Sequence, residues 1–437
     1  MKTLSPLRIP LLLLLGAAAC VPEEPAAGEG TTSGSFTRLF VSTGGDDANP
    51  GTREKPWKTI AKGLQSVRPG EMLIILGGVY EEEMDMPTIA TSEKPIVIRG
   101  EGANKTILDL RNREFQHAVN FENGASNLTL ERIGIKGRYY TRWSHGIFIS
   151  DRGVNRRITL RDIKIEWENG EKDRGSGIFV HFQPDADLLV EDVEASGFSD
   201  GIYLKGSNGI TVRNSRLHGN IEDGIDFNGG EDILLENNRC YGNHSNGILV
   251  HGNEKPQLGG VLRGNILRGN KNGLTLYETD GLVVERNLAH QNNEFGFFLS
   301  NGVKNSILRH NTLTANPNGA LKARKRGLAN ILRNNILCAG HKGIAARFDQ
   351  VAGLDFDFNL WNQASIVLEG QGKINGMENL RMVLGGMVNA RLGNPRFRDI
   401  SLSDFFLLQD SPAVDAGLDF GETFSGVAPD CGVYERP

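Results

Sequence analysis

The sequence predicts an all-β fold, a parallel β-helix built as a solenoid of coils about 23 residues long. Three observations predict it. A glycine followed by a short apolar or β-branched run recurs nine times: "HGIFIS" at Gly146, "SGIFVH" at Gly177, "DGIYLK" at Gly201, "DGIDFN" at Gly224, "NGILVH" at Gly247, "NGLTLY" at Gly273, "FGFFLS" at Gly296, "NGALKA" at Gly319 and "KGIAAR" at Gly343. A second short strand follows in each coil, with asparagines recurring at Asn238, Asn265, Asn287, Asn311 and Asn335. The leucine-dominated signature and helix of a leucine-rich repeat are missing, and a propeller needs a longer period. Each coil can bury its apolar face only by stacking on the next, and asparagines in line can hydrogen-bond up the stack.

The chain opens with Lys2 and Arg8, an apolar run from Ile9 to Leu15, small residues Gly16 to Ala19, and then Cys20. This order predicts an export signal over residues 1–19 and a lipid anchor at Cys20, which would place the protein in a bacterial cell envelope. Ala17 stands where a leucine is usual, and plain secretion is the alternative. Residues 20–35 have linker composition. The β-helix domain is expected over 36–437, with regular repeats from about 140 to 350 and a closing region from about 360 to 437. Ile60, Leu64 and Val67 fall at helical spacing within residues 57–67. Such a helix would cover the open first coil, an exposed sheet edge otherwise.

The formal charge of −5 over 437 residues gives no electrostatic case for nucleic acid, and no basic stripe with interleaved aromatics appears. Phosphate-loop, dinucleotide and HExxH motifs are absent. Of the remaining cysteines, Cys240 shares its line with Leu267, Leu313 and Leu337 and is expected in the core. Whether Cys338 and Cys431 pair stays open, since export permits disulfides. A monomer is expected.

Strand alternation maps the faces. Positions +1 and +3 from each glycine are apolar and point inward, as in Ile202 and Leu204 or Ile225 and Phe227. Positions +2 and +4 point outward. Line +2 reads Phe148, Phe179, Tyr203, Asp226, Leu249, Thr275 and Phe298; line +4 reads Ser150, His181, Lys205, Asn228, His251, Tyr277 and Ser300. The residue before each glycine is polar in eight of the nine coils and is expected in a turn. Asp223 then stacks on Asp200, with Asp226 and Glu222 beside them. Four carboxylates converging from two coils suit a hard cation, Ca²⁺ best, because it accepts irregular oxygen geometry. A solvated acidic Asp-Gly turn is the alternative.

The segment "SDGIYLK" followed by "IEDGIDF" resembles the paired motifs of family 9 pectate lyases, which are right-handed β-helix enzymes. The start "FVSTGGDDANPGTREKPWKTIAKGLQSVRPGEMLIILGGVYEEE" and the tail "DSPAVDAGLDFG…DCGVYE" resemble secreted β-helix proteins more broadly. The resemblance implies calcium held by Asp200, Glu222, Asp223 and Asp226, with Glu222 replacing an aspartate. It also implies a catalytic lysine one coil on, where this chain has Leu249.

The expected function is therefore a calcium-dependent polysaccharide lyase acting by β-elimination on an acidic, uronate-containing polymer. His251, two residues beyond Leu249 on the same face, is the first candidate for the base, and Lys205 the second. Their structural alternatives are a ligand-orienting histidine and a charge partner for the carboxylates. Tyr203, Asn228 and Tyr277 are candidate substrate contacts. A non-catalytic surface glycan-binding protein that keeps the cation site is the alternative function. A uronate epimerase or a glycoside hydrolase comes third, although the carboxylates look too crowded for the hydrolase pair.

Overall fold

The computed structural model describes residues 36–87, 94–138, 143–168, 175–253, 256–324 and 327–436. The expected signal segment, the linker and Cys20 lie outside the described residues. Within them the chain is a parallel β-solenoid. One sheet is thirteen strands deep and follows chain order, from Met84–Asp85 to Gly372–Asn375. A second, 23-stranded sheet forms the other wall. Among the described residues no helix is long and apolar enough to cross a membrane.

The inward lines are as the alternation requires. Ile202, Leu204, Ile225, Phe227, Ile248, Val250, Leu274 and Leu276 are all buried in one continuous core. The recurring glycine has a steric cause rather than a turn cause. A side chain on Gly201 would meet the carbonyl of Gly224 at 2.7 Å, and one on Gly224 would meet Gly247 at 2.6 Å. The coils stack too closely there for a Cβ. In two coils the sequence expectation is out of register. Phe297 pairs with Leu321 and Leu321 with Ala346, so Ala320 and Ala345, not Gly319 and Gly343, hold the repeat position. Alanine is the next smallest residue, and a neighbouring glycine disguises the substitution.

The asparagine ladder is present. Asn238, Asn265, Asn287, Asn311, Asn335 and Asn359 are joined amide to amide at 2.9–3.1 Å, and all are buried. A second ladder, Asn220, Asn243, Asn270, Asn292 and Asn316, runs beside it at 2.9–3.2 Å. Each buried amide thus finds a partner in the next coil.

Along the second sheet one line alternates in charge. Arg99, Glu131, Arg161, Glu191, Arg213, Glu236, Arg263, Glu285 and Arg309 are register partners in turn. Where like charges meet, at Arg309 and Arg333, carboxylates from elsewhere answer them. Glu422 of the tail lies 3.8 Å from Arg309, and Asp355 lies 2.6 Å from Arg333.

Helix Ile60–Ser66 forms inside the expected segment. Thr59 Oγ1 caps it by accepting the Lys62 N–H at 3.1 Å, and Ile60, Gly63 and Leu64 pack on the first strands. At the other end, strand Gly372–Asn375 folds back antiparallel on Ser365–Leu368. Helix Met377–Leu384 follows and buries Leu380 and Leu384 in the main core. The tail builds a second apolar cluster on the solenoid wall, containing Phe397, Phe405 and Leu407. Cys338 and Cys431 belong to this cluster as free thiols, and Cys240 is a free thiol in the main core, in line with Leu267. The open question of a disulfide is answered by three buried, unbridged cysteines.

Candidate metal centre

The centre is carried by three successive strands, Asp200–Lys205, Ile225–Asn228 and Asn246–His251. The residue before each repeat glycine does not sit in a solvated turn. Asp200, Asn246 and Asn272 each open a strand, and all three line up with Asp223 as a largely buried polar column. Strict alternation would send this position inward, but its side chains turn to the face of the +2 line: Asn246 meets the Thr275 hydroxyl, and the His145 ring stacks on Phe148. The position stays polar because each side chain serves the next coil. Asp200 Oδ1 accepts the Asp223 N–H at 3.1 Å. Asp223 Oδ1 accepts the N–H and the side-chain amide of Asn246 at 2.6 and 2.9 Å. Asn246 Oδ1 accepts from Asn272 Nδ2 at 3.3 Å and from the Thr275 hydroxyl at 2.6 Å. Burial is tolerated because the oxygens are satisfied.

Carboxylate oxygens of Asp200, Asp223 and Asp226 lie within 4.8 Å of one another. Asp200 is 6% exposed and Asp223 4%. Burial pushes the Asp200 carboxyl well above its ordinary range, and the charges of Asp226, Asp223 and Glu222 push it further. The same causes, burial first, raise Asp223 to about 7, against the pull of its hydrogen bonds from Asn246. Asp226 is raised by burial, while its hydrogen bond with His251 draws it back. Three clustered acids, two of them buried, that resist ionising together are suited to a cation that lets them ionise.

Glu222, the fourth expected ligand, is exposed and falls outside this group of three. Its backbone N–H bonds to Ser199, and its charge still acts on Asp200 and Asp223. His251 is buried, with Nε2 2.9 Å from Asp226 Oδ1. Leu249 is the register partner of Asp226 and brings no titratable group beside it. Lys205 extends its ammonium to 5.6 Å from the Phe182 ring. Tyr203 gives one ring face to Phe179, with centroids 5.0 Å apart and planes 7° apart, and its hydroxyl accepts from Asn228 Nδ2 at 3.2 Å. Tyr277 pairs in register with His251 one coil on. Sequence reasoning missed Asn246 as the group that fixes Asp223. The signal was its place in the same polar column.

The donors fit calcium. Three carboxylates supply hard oxygens from three places on two coils, with neither thiol nor multiple imidazoles to favour zinc. The oxygens held by N–H donors keep Asp200 and Asp223 from swinging away, which leaves their second oxygens as the candidate ligand atoms.

Among solved structures the chain is similar to the A-module of Azotobacter vinelandii mannuronan C-5 epimerase AlgE6. That match has a TM-score of 0.56 and 16% identity, over 74% of this chain and 91% of that one. It is similar to pectate lyase Pel9A, with a TM-score of 0.51 and 17% identity over 93% and 98% of the two chains. It is also similar to XylC in complex with xylose, at 0.61 and 10% over 83% and 87%. At these identities the likeness is one of fold. A curated relative, the uncharacterized protein YwoF of Bacillus subtilis strain 168, is 25% identical over 203 residues, 43% of this chain and 42% of that protein. The chain thus spans less than half the length of that relative. Residues 43–107 match a family described only as a protein of unknown function. Residues 117–281 and 176–337 match the model described as right handed beta helix region, together just over half of the chain, and the chain belongs to that right-handed β-helix family.

Proposed function

We propose that this protein is a calcium-dependent polysaccharide lyase that cleaves a uronate-containing polymer by β-elimination. The observation that carries the proposal is the convergence of the Asp200, Asp223 and Asp226 carboxylates within 4.8 Å on two adjacent coils. The names of similar folds, pectate lyase Pel9A and a mannuronan C-5 epimerase, support a uronate as the substrate class. β-Elimination and C5 inversion of a uronate share one first step, loss of the C5 proton. Calcium, when bound, supplies positive charge beside the substrate carboxylate and lowers the cost of charge developing at C5.

The remaining work belongs to the chain. Asp200, Asp223 and Asp226 would hold the cation, with the Asn246 N–H and amide fixing Asp223. His251 orients Asp226 through Nε2 and serves as base through Nδ1, the acceptor that remains once Nε2–H donates to Asp226. The base takes the C5 proton. The electron pair forms the C4–C5 double bond, and the C4 glycosidic oxygen leaves and is protonated. Lys205 and Asn228, neighbours of His251 on line +4, contact the substrate, as do Tyr203 and Tyr277. Export, with a lipid anchor at Cys20, places the enzyme among such polymers.

The second reading is a non-catalytic glycan-binding protein with the same cation site, favoured by Leu249 beside Asp226. Incubation with pectate and alginate, with and without calcium, separates the two. Calcium-dependent ultraviolet absorbance from an unsaturated product, lost in Asp223→Ala, is the expected result. Calcium-dependent binding with no absorbance change supports the second reading and overturns the first.

A further inference from the structure

Lys322 and Arg347 are register partners on adjacent parallel strands, Gly319–Ala323 and Ala346–Phe348. Both stand on the half-exposed line that carries Asp226. That line runs Asp226, Leu249, Thr275, Phe298, Lys322, Arg347 and then Val367. Two cations one strand spacing apart repel each other. Where the second sheet stacks such a pair off its charged line, Arg216 on Arg239, Glu194 answers Arg216 at 3.0 Å. The charged line of the second sheet alternates in sign through nine coils, and its one like pair is answered by Glu422 and Asp355. Among the described residues, neither Lys322 nor Arg347 forms an ion pair. Lys322 rests 5.0 Å from the Phe298 ring and 5.6 Å from Phe295, and Arg324 stands 5.1 Å from Phe298. Asp349 and Glu369 stand two residues beyond Arg347 and Val367 on the next outward line, and among the described residues Asp349 forms no ion pair.

We infer that Lys322 and Arg347 form a second, cationic subsite that holds a carboxylate of the same acidic polysaccharide strand. The inference rests on the uronate reading of the Asp200–Asp223–Asp226 centre. Charge complementarity names the occupant. The carboxylate centre needs a cation to accept a polyanion, whereas the Lys322–Arg347 pair accepts one directly. The two sites lie four and five strand spacings apart on one straight line, roughly 19 and 24 Å. A single sugar cannot reach both, but an extended oligosaccharide lying along the solenoid axis can. The strand would run from the aromatic edge at Tyr203, over Asp226, to Lys322 and Arg347. Arg347 offers the bidentate fork that suits a carboxylate, and Lys322 a point charge steadied over Phe298.

The test is calorimetric binding to the full chain of three probes: long oligogalacturonides, long oligomannuronates, and galacturonic acid monomer, each with and without calcium. The variant carries Lys322→Gln and Arg347→Gln together; both side chains point outward, and a melting curve checks that it folds. The variant should bind the acidic oligomers at least about tenfold more weakly. It should also show a shallower salt dependence, since two charges are removed. Its calcium affinity and monomer binding should not change. A Lys322→Arg variant should retain oligomer binding. Equal oligomer affinity in the double variant and the parent overturns the subsite while leaving the uronate reading intact. Oligomer binding that ignores calcium yet is lost in the double variant overturns the calcium reading and keeps the subsite. No binding of any acidic oligomer by the parent overturns both.

Discussion

Asp223 Oδ1 receives both the N–H and the side-chain amide of Asn246, at 2.6 and 2.9 Å, so one oxygen of a candidate ligand is also a rung of the solenoid's polar ladder. Asparagine continues the same column in the next two coils, at Asn246 and Asn272. The site is thus a ladder in which two amides are replaced by acids. Asp223→Asn should keep the rung, since an amide oxygen accepts the same two bonds. It should also remove one charge from a repelling group. The variant is expected to melt no lower than the parent in chelator, and to bind calcium at least about tenfold more weakly. Differential scanning calorimetry and titration calorimetry check the two halves separately.

Without a cation the centre should make stability fall as pH rises. The Asp200 and Asp223 carboxyls are raised in the folded protein, Asp223 to about 7 from an ordinary 3.8. Between these values the folded state holds more protons than the unfolded chain, so stability is greatest below about pH 4 in this respect and declines towards about pH 7. Melting temperature in chelator should drop across that window. Saturating calcium should flatten the drop, and its binding near neutrality should release protons. A chelated protein whose melting is level from pH 4 to pH 7 would contradict the burial of these acids.

His251→Gln tests the base. Glutamine can donate to Asp226 but cannot accept a proton from C5. Calcium affinity is expected to stay within about threefold of the parent, while the rate of unsaturated product formation falls by about a hundredfold or more. Joint loss of calcium binding and activity would assign His251 to positioning Asp226. Full activity in the variant would move the role of base to another group, with Lys205 next to be examined.

Glu191 bridges Arg161 at 2.8 Å and Arg213 at 2.5 Å in the alternating line of the second sheet. Glu191→Ala leaves those two arginines facing each other across the empty position. The expected cost is about 1–2 kcal/mol, since these are charge-assisted hydrogen bonds partly open to solvent. Glu191→Arg should cost more. Urea unfolding in low and in high salt checks it, because the penalty should shrink as salt screens the repulsion.

Repeat period and strand alternation determined the fold, the inward lines and the outward face, because stacking identical coils turns sequence spacing directly into register. That is why Asp200, Asp223 and Asp226 were legible as one group, and why Cys240 was legible as core. Three things needed the tertiary structure. The buried column before the repeat glycine reads as a turn in the sequence, since its polar residues find their partners only on the next coil. Glu222 was grouped with the other acids by sequence proximity, yet it lies in a bend that turns its side chain to solvent. The stack of Lys322 on Arg347 was hidden because Ala320 and Ala345 had taken over the repeat position. Counting from Gly319 points Lys322 into the core, and a slip of one residue sends every side chain of a strand to the opposite face. Sequence spacing therefore decided the fold and the carboxylate centre. Register, which is a property of neighbouring coils in contact, decided which charges share the binding face.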